Sequence, residues 1–419
     1  MKKLLKKLLP RSLVRPLLRP YHFCRALLAN IMYGFPGRNL KVIGITGTNG
    51  KTTSANFLSS VISAAGYRVG VSTTANFRIG DDAWDNELNM TTTNPFALQK
   101  LLKRMKNEGV DWVILEVTSH ALDQHRIWGV PIHTAMMTNL SPDHLDYHKT
   151  VEEYAAAKAK LLKLAQKVVV LNHDDEWYGY FRDSALHTVY SYGTHKSADI
   201  RLEKASLKAD SSDIRFRYGE RIMNLSLRMP GKFNVYNALA ATAVAFGLDI
   251  GWKDVEKGLK GISGVPGRME PIHAGQEFTV IVDYAHTPDA FENLLTSLRS
   301  TTKGKMITVF GGAPTHDYEG LGRVAGKLSD MVVITDDEPM GKDPDVIRSA
   351  IVENAKSMDK AKVLEIADRR EGIKKAFDMA KPEDTVALLC LGHQKYRRVG
   401  EEKRIEWDDR KVARELLKE

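Results

Sequence analysis

Apolar and polar positions along the chain follow two rhythms. Leu40 to Ile45 is a short apolar, β-branched run that predicts a strand, and Ser54 to Ala65 has the composition of a helix. Further strands are expected over Tyr67–Ser72, Trp112–Val117, Thr134–Thr138 and Val168–Asn172, with helices over Ala97–Asn107 and Val151–Ala165. Strand and helix taking turns is the pattern of a parallel sheet covered by helices. Ile200 to Met229 then alternates without a helical period, which predicts antiparallel strands at the edge of the domain, and the Ala-rich stretch Gly231–Leu248 predicts a helix. The Gly/Pro-rich segment Gly261–Gly267 reads as a boundary. A second alternating series follows: strands Phe278–Asp283, Met306–Phe310, Met331–Thr335 and Val386–Leu391, and helices Pro288–Leu298, Arg323–Ser329 and Pro344–Ala355. The chain is expected to be α/β, with an arm over residues 1–39, a central domain over 40–264 and a C-terminal domain over 265–419.

Charge changes this picture at one end only. Of a formal net charge of +9 in 419 residues, residues 1–38 supply nine Lys or Arg and no acid, and Asp81 is the first acidic residue. The remainder is close to neutral and has no interleaved basic-aromatic surface, which excludes nucleic acid as a partner. In the arm, Leu4, Leu5, Leu8 and Leu9 fall on one helical face and Lys2, Lys3, Lys6 and Lys7 on the other, and Pro10, Pro16 and Pro20 are expected to break the helix. No apolar run reaches the roughly 20 residues of a spanning helix, and neither a signal-peptide core nor a cleavage site is present. Two readings stand: the arm lies on an anionic leaflet, or it packs over the first domain or stays disordered. Cys24 and Cys390 are too few for a disulfide framework or a Cys-based zinc site, which points to a reducing cytoplasm. The expected location is cytoplasmic, with peripheral contact at the inner face of the cell membrane.

The candidate chemistry begins at Gly44-Ile45-Thr46-Gly47-Thr48-Asn49-Gly50-Lys51-Thr52-Thr53, on the turn from a strand to a helix. Glycines there let backbone N–H groups wrap an anion in front of a helix N-terminus, Lys51 adds a cation, and the Thr52 hydroxyl suits Mg²⁺. Ile45 stands where the common P-loop has its first glycine, so the pattern is G-x-x-G-x-x-G-K-T. Glu116 ends a strand, at the carboxyl edge where open α/β sheets place their sites, and is a good metal carboxylate. The polar cluster Thr118, Ser119, His120, Gln124, His125 and Arg126 follows it. Another strand leads into Asn139-Leu-Ser-Pro-Asp143-His144-Leu-Asp146-Tyr-His148, a second set of metal-capable groups. Either cluster alone is an ordinary solvated loop; two of them beside a phosphate cradle point to a Mg²⁺-nucleotide site.

Together, GITGTNGKTT, EVTSHALDQHR and TNLSPDHLDYH resemble the Mur ligase family, most closely its members that add the third amino acid to the peptidoglycan stem peptide. The resemblance runs from about Leu40 to the C-terminus and takes in Tyr154-Ala-Ala-Ala-Lys158, Gly231-Lys-Phe-Asn234-Val-Tyr-Asn237, Gly267-Arg268-Met-Glu, Asp283-Tyr-Ala-His286 and Leu391-Gly-His393-Gln394-Lys-Tyr396. It implies a P-loop central domain with a parallel sheet, a Rossmann-like C-terminal domain, and a ligase that phosphorylates a peptide carboxylate with ATP before an amine attacks the acyl phosphate. By motif match, Gly47, Thr48, Asn49, Gly50, Lys51, Thr52 and Thr53 would hold ATP. Thr52, Glu116, His144 and Lys158 would serve the metal, with Lys51, Glu116, His144 and Lys158 as the catalytic set. Asn234 and Asn237 would lie near the adenine, and Arg268, Asp283 and His286 would bring the last domain to the nucleotide. The lysine matching Lys158 is carbamylated in the family, which turns a cation into a metal-binding anion. Thr91, Thr92, Thr118, Gln124 and Arg126 match groups that touch the muramyl-peptide, and Asp337, Glu338, His393 and Gln394 match the amino-acid site.

Three departures from the family bear on substrate. The chain reaches its cradle at residue 44 with only the basic arm before it, so the domain that grips UDP in the family is not expected here. A lipid-linked or free muramyl-peptide, or a UDP substrate held differently, would fit. Where enzymes selecting meso-diaminopimelate carry Asp-Asn-Pro-Arg, this chain has Asp337-Glu338-Pro339-Met340, and Gln394 replaces their glutamate. Losing both charges disfavours that zwitterionic end, and lysine is one alternative. Gly311–Gly320 is rearranged, so that His316 and Asp317 serve either a ligand or a turn. Two rival functions keep part of the picture: ligation on another poly-acid, or a non-catalytic nucleotide-binding scaffold docked at the membrane.

Overall fold

The computed structural model describes residues 11–86, 90–208, 210–400 and 403–419, without the side chains of residues 11–17 and 146. The leucine and lysine faces expected over residues 2–9 lie outside it. The described part divides into two compact units: Met1–Lys204 with Ile214–Leu225 and Tyr236–Gly261, and Ala205–Asp213 with Ser226–Val235 and Ile262–Glu419.

The first unit opens with helix α1 (Arg11–Tyr33), which corrects the expected breaks at Pro16 and Pro20. A proline inside a helix removes one N–H and crowds the carbonyl four residues back. The helix runs through both, and Pro20 is itself exposed. The phosphate-cradle strand β1 (Lys41–Thr46) feeds helix α2 (Lys51–Ala64). Beyond it come β2 (Val69–Ser72), β3 (Asn76–Ile79), β4 (Asp82–Asp85), α3 (Pro95–Asn107), β5 (Trp112–Glu116), the short α4 (Ser119–Asp123) and β6 (Ile132–Met137). Then follow α5 (Leu145–His148), α6 (Val151–Leu164), β7 (Ala165–Asn172), α7 (Tyr178–Ser184) and β8 (Thr188–Gly193). Strands β9 (Ile200–Leu207), β10 (Ser212–Tyr218) and β11 (Arg221–Leu227) precede helices α8 (Lys232–Gly247) and α9 (Trp252–Gly261).

Eleven strands form one sheet in the order β11-β10-β9-β8-β7-β6-β1-β5-β2-β3-β4. From β9 to β2 every neighbouring pair is parallel, while β2–β3 and β3–β4 are antiparallel. Strand β1 lies between β5 and β6, so the loops after all three open on one edge. β5 is buried throughout, as a parallel strand covered on both faces must be. Helices α2 and α9 pack closely: a Cβ on Gly258 would stand 2.4 Å from the Val61 backbone, and Ser60 Oγ donates to the Gly258 carbonyl at 2.7 Å.

The second unit holds β12 (Glu270–Pro271), β13 (Thr279–Val282), α10 (Pro288–Arg299), β14 (Met306–Phe310), α11 (Tyr318–Leu328), β15 (Met331–Ile334) and α12 (Pro344–Lys356). It continues with β16 (Lys362–Glu365), α13 (Arg369–Met379), β17 (Thr385–Leu388), β18 (Tyr396–Arg398), β19 (Arg404–Glu406) and α14 (Asp409–Leu416). Its main sheet runs β12-β13-β17-β14-β15-β16, parallel except for the β12–β13 edge. Successive residues of one strand enter two different cores. Ile281, Phe310, Val332, Ile334 and Ala387 join one cluster, and Val280, Val282, Val309, Val333 and Val386 the other. That period of two, with both faces apolar, fixes a helix layer on each side of the sheet.

Candidate active site

The cradle is shaped by two glycines in backbone conformations that other residues rarely adopt. Gly47 has φ 144° and Gly50, the N-cap of α2, has φ 81°. Space demands glycine as well: a Cβ on Gly47 would stand 1.8 Å from Thr138 Oγ1, and one on Gly50 would stand 2.3 Å from Asn237 Oδ1. The loop after β6 pins the cradle from outside. Thr138 Oγ1 donates to the Asn49 carbonyl at 2.7 Å, and the Asn49 N–H donates to Asn139 Oδ1 at 2.9 Å. The Thr48 N–H donates to the Asn139 carbonyl at 2.9 Å. Lys51 folds back, its Nζ donating to the carbonyls of Gly47 at 3.0 Å and Thr48 at 2.8 Å. Asn237 receives the Ser54 hydroxyl at 3.1 Å, beside the start of α2, and Thr53 is buried in the first turn.

Glu116 ends β5 one strand away and reaches the cradle directly. Its Oε2 accepts from Thr52 Oγ1 at 2.9 Å and from the Thr74 N–H at 2.8 Å, and its Oε1 accepts from Thr74 Oγ1 at 3.1 Å. Thr74 Oγ1 lies 2.9 Å from Thr91 Oγ1. Thr92 Oγ1 donates to the Glu116 carbonyl at 3.0 Å and accepts the Thr118 N–H at 3.0 Å. Arg126 Nη1 donates to the Thr92 carbonyl at 2.8 Å, and Arg126 Nη2 to Gln124 Oε1 at 2.8 Å. Every residue expected to touch the muramyl-peptide therefore sits in one hydrogen-bonded chain leading away from Glu116. Thr74 was not expected. It follows strand β2 at the same carboxyl edge, which is the signal that points to it.

Lys158, on α6, is 1 % exposed and donates to the Gly47 carbonyl at 2.6 Å, with its ammonium 4.3 Å from the centre of the Tyr154 ring. Burial holds it well below the usual lysine range and nearby Lys51 pushes the same way, against Asp143 and Glu116. Tyr154 OH is 3.4 Å from Thr48 Oγ1, and the Tyr154 and His144 rings are 6.2 Å apart. His144, at φ 54°, caps α5 and lies 3.5 Å from Asp143 Oδ2. The His120 ring meets it edge-on at 4.8 Å. Burial, His144 and His148 together hold His120 down to about 3, so its imidazole is neutral.

Among the described residues no three His, Cys, Asp or Glu side chains gather into a ready cage. Mg²⁺ needs no such cage, since it keeps several waters and takes one or two protein oxygens beside substrate phosphates. The Thr52 hydroxyl and the Glu116 carboxylate, already in contact beside the cradle, are a hard-oxygen pair that fits it. An ammonium at Lys158 does not fit a cation; a carbamate there would.

The remaining predicted residues form a separate group in the second unit. Gly267, at φ 63°, lies so close to His393 that a Cβ would stand 2.0 Å from its backbone nitrogen. Next to it, the Arg268 guanidinium lies 4.8 Å from the centre of the Tyr284 ring, and its buried Nε has no hydrogen-bond partner. Asp283 accepts N–H bonds from Met269 at 2.7 Å and Ala285 at 2.6 Å. Burial raises it even though Arg268 lowers it. His286 Nδ1 is 2.8 Å from the Tyr284 carbonyl, and Asn234 Nδ2 donates to the Pro230 carbonyl at 2.7 Å. His316 Nδ1 accepts the Ala313 N–H at 3.1 Å and Asp317 caps α11, so both shape the turn. Asp337 is buried with Oδ1 unpartnered, and burial pushes its carboxyl up to about 7 against Arg369 and Arg397. Glu338 is paired with Arg398, Oε1 to Nε at 3.0 Å and Oε2 to Nη2 at 3.2 Å, and also receives Gln394 Nε2 at 3.4 Å. Arg398 was not foreseen. It is the half-exposed cation beside Met340, whose N–H donates to the Arg398 carbonyl at 3.1 Å.

Known proteins are similar to this chain in sequence and fold. Residues 45–245 match the Mur ligase middle domain, and residues 267–391 match the domain described as Mur ligase, glutamate ligase domain. A UDP-N-acetylmuramoyl-L-alanyl-D-glutamate–2,6-diaminopimelate ligase of Syntrophomonas wolfei is 35% identical over 402 residues, covering 94% of this chain and 81% of that protein. The ligase of the same name from Aquifex aeolicus is 37% identical over 398 residues, covering 93% and 80%. A solved structure carrying that name superposes with a TM-score of 0.63 at 30% identity, over 90% of this chain and 78% of the other. Folylpolyglutamate synthase of Mycobacterium tuberculosis, complexed with ADP and AMPPCP, shares the fold at a TM-score of 0.75 and 18% identity, covering 88% and 92%. Both matched domains follow one another here in order, and similarity to relatives named as ligases extends over nearly the full length of this chain: it belongs to the Mur ligase family of ATP-dependent acid–amino-acid ligases.

Proposed function

We propose that this protein uses ATP to join an amino acid to the carboxylate of a muramyl-peptide, through an acyl phosphate, in the assembly of peptidoglycan precursors. The observation that carries this reading is the contact between Thr52 and Glu116, which joins the phosphate cradle to the threonine and arginine chain at one sheet edge. Residues 40–264 act as the ATP-binding domain and 265–419 as the second ligase domain. Lys51 and the N–H groups of the cradle bind the phosphates of ATP, and Thr52 and Glu116 hold Mg²⁺, which neutralises charge on the transferring phosphoryl group. Thr91, Thr92, Thr118, Gln124 and Arg126 orient the acceptor peptide, where the fork of Arg126 reads an anionic group. His144 stands as a further metal-side group beside Asp143. Asn234, Asn237, Arg268, Asp283 and His286 serve the nucleotide, and His393 the incoming amino acid.

Lys158 serves best as a carbamate. Burial favours its neutral amine, which attacks CO₂; a C–N bond forms and one proton is released, leaving an anion beside the cradle. The relatives are named for 2,6-diaminopimelate, whereas Met340 and Gln394 remove the two charges that members selecting meso-diaminopimelate use for its distal end, and Glu338 is engaged by Arg398. The amino acid taken here is therefore one without that second zwitterion. The acceptor is a muramyl-peptide carried by UDP, by a lipid or free.

The test is phosphate release from ATP with UDP-linked, lipid-linked and free muramyl-dipeptide against a panel of amino acids. Turnover that requires both acceptor and amino acid is expected. ATP binding with no amino-acid-dependent turnover on any acceptor overturns the reading.

A further inference from the structure

Helix α1 buries one side and leaves the other bare. Leu18, Ala26, Ala29 and Asn30 are buried, and Asn30 Nδ2 donates to the Trp128 carbonyl at 2.8 Å. Phe23 meets Trp128 edge-on with ring centres 5.0 Å apart, and the Arg25 guanidinium lies 5.9 Å from the centre of the Phe96 ring. These contacts fix the rotation of the helix. At 3.6 residues per turn, Pro20, Cys24, Leu28, Ile31 and Met32 then share one strip, and all five are exposed. Leu28 is 56% exposed, Ile31 59% and Met32 65%. Only two other large apolar side chains among the described residues, Leu186 and Val346, are more than half exposed. Scattered apolar side chains on a surface are ordinary, but three within five residues on one helix face are a patch.

Charge says what covers it. Residues 1–38 carry nine Lys or Arg without an acid, and the next acid is Asp81. A narrow apolar strip in a segment with charge of one sign matches the boundary of an anionic bilayer, where side chains enter the acyl region and cations meet headgroup phosphates. No helix among the described residues is long and apolar enough to cross a membrane, so the contact lies in the plane of the surface. The geometry points to a peripheral docking face for an anionic lipid bilayer, formed by Leu28, Ile31 and Met32 of α1 in a stretch of sequence whose charged residues are all basic. Its evidence is separate from that for the ligase reaction.

The full-length protein is mixed with vesicles of phosphatidylcholine alone or of equal parts phosphatidylcholine and phosphatidylglycerol, then sedimented. Binding to the anionic vesicles alone is expected, falling as salt is raised. Leu28→Ser, Ile31→Ser and Met32→Ser combined should weaken it on the order of 100-fold. Unchanged ATP binding and thermal unfolding by the triple variant would show that it folds. The proposal falls if the parent does not prefer anionic vesicles or if the folded triple variant binds like the parent. It also falls if the parent is a dimer in lipid-free buffer that the triple variant converts to monomer, since the face then covers a second copy.

Discussion

Thr52, at the start of the helix behind the phosphate cradle, donates its hydroxyl to Glu116 at 2.9 Å, and Glu116 lies at the end of a different strand, 64 residues later. Two positions far apart in sequence thus meet because β1 and β5 are parallel neighbours whose carboxyl ends share an edge. Replacing Thr52 by Ala removes one of the two oxygens offered to Mg²⁺. Phosphate release should fall on the order of 100-fold while the cradle still binds nucleotide. Steady-state kinetics beside a direct ADP-binding titration separate these effects; equal loss in both would show that Thr52 serves the cradle alone.

Gly47 tolerates no side chain. Ala there meets both an unfavourable φ and Thr138 Oγ1, so Gly47→Ala should destabilise the protein by about 2 kcal/mol or more and abolish ATP binding. Adding Thr138→Ala should recover part of the stability but not the strain in the backbone. Chemical denaturation of the two variants measures the difference.

Lys158 should carry CO₂. With ¹³C-labelled bicarbonate, a carbamate resonance is expected from the parent protein and none from Lys158→Ala, which should lack ligase activity. A parent spectrum with no such signal at neutral pH, in protein that turns over, removes the carbamate from the mechanism.

Asp337 makes stability depend on pH. Burial raises its folded-state pKa to about 7 from 3.8, so the folded protein keeps a proton that the unfolded chain releases. Its contribution is fully present below the unfolded value and is lost as pH climbs through the folded one. The urea midpoint should decline from about pH 4 to 7, and Asp337→Asn should flatten that decline. A parent midpoint that rises over this window would contradict it.

Glu338 and Arg398 should govern the incoming amino acid. Glu338→Gln loosens the Arg398 guanidinium, and the KM for the amino acid should change about tenfold or more while the KM for ATP changes little. The amino-acid panel repeated on Glu338→Gln and Arg398→Met reads this out, and an unchanged ranking of amino acids would free the pair of that role.

What could be read from the sequence was local or periodic. Gly47 and Gly50 announce themselves because a strand-to-helix turn demands their conformation within a few residues, and Glu116 because it closes an apolar strand. Partners that depend on strand order were hidden: Thr74 joins Glu116 only because β2 lies next to β5. Arg398 escaped notice because its meaning comes from Glu338, 60 residues earlier. Among the elements, β8 was missed, its Tyr and Ser alternation giving no continuous apolar run. Strand β16 was missed as a four-residue edge ending in charge, and α13 because its charged surface hides a narrow apolar stripe around Ile373 and Phe377. Pro16 and Pro20 misled in the other direction, since the local cost of a proline is weighed against the packing of the whole helix, where Ala26, Ala29 and Asn30 are buried.

The carbonyl of Gly47 accepts from both Lys51, at 3.0 Å, and Lys158, at 2.6 Å. Two amines are thus parked on one small dipole, and burial lowers the proton affinity of Lys158. Turning Lys158 into an anion would reverse the sign of that encounter, from rivals for an oxygen to opposite charges that attract. Lys51 would then have to choose between the new anion and an arriving phosphate. The state of one buried nitrogen would thereby set how readily the loop lets go of its own lysine, making the cradle a balance with CO₂ on one pan and nucleotide on the other.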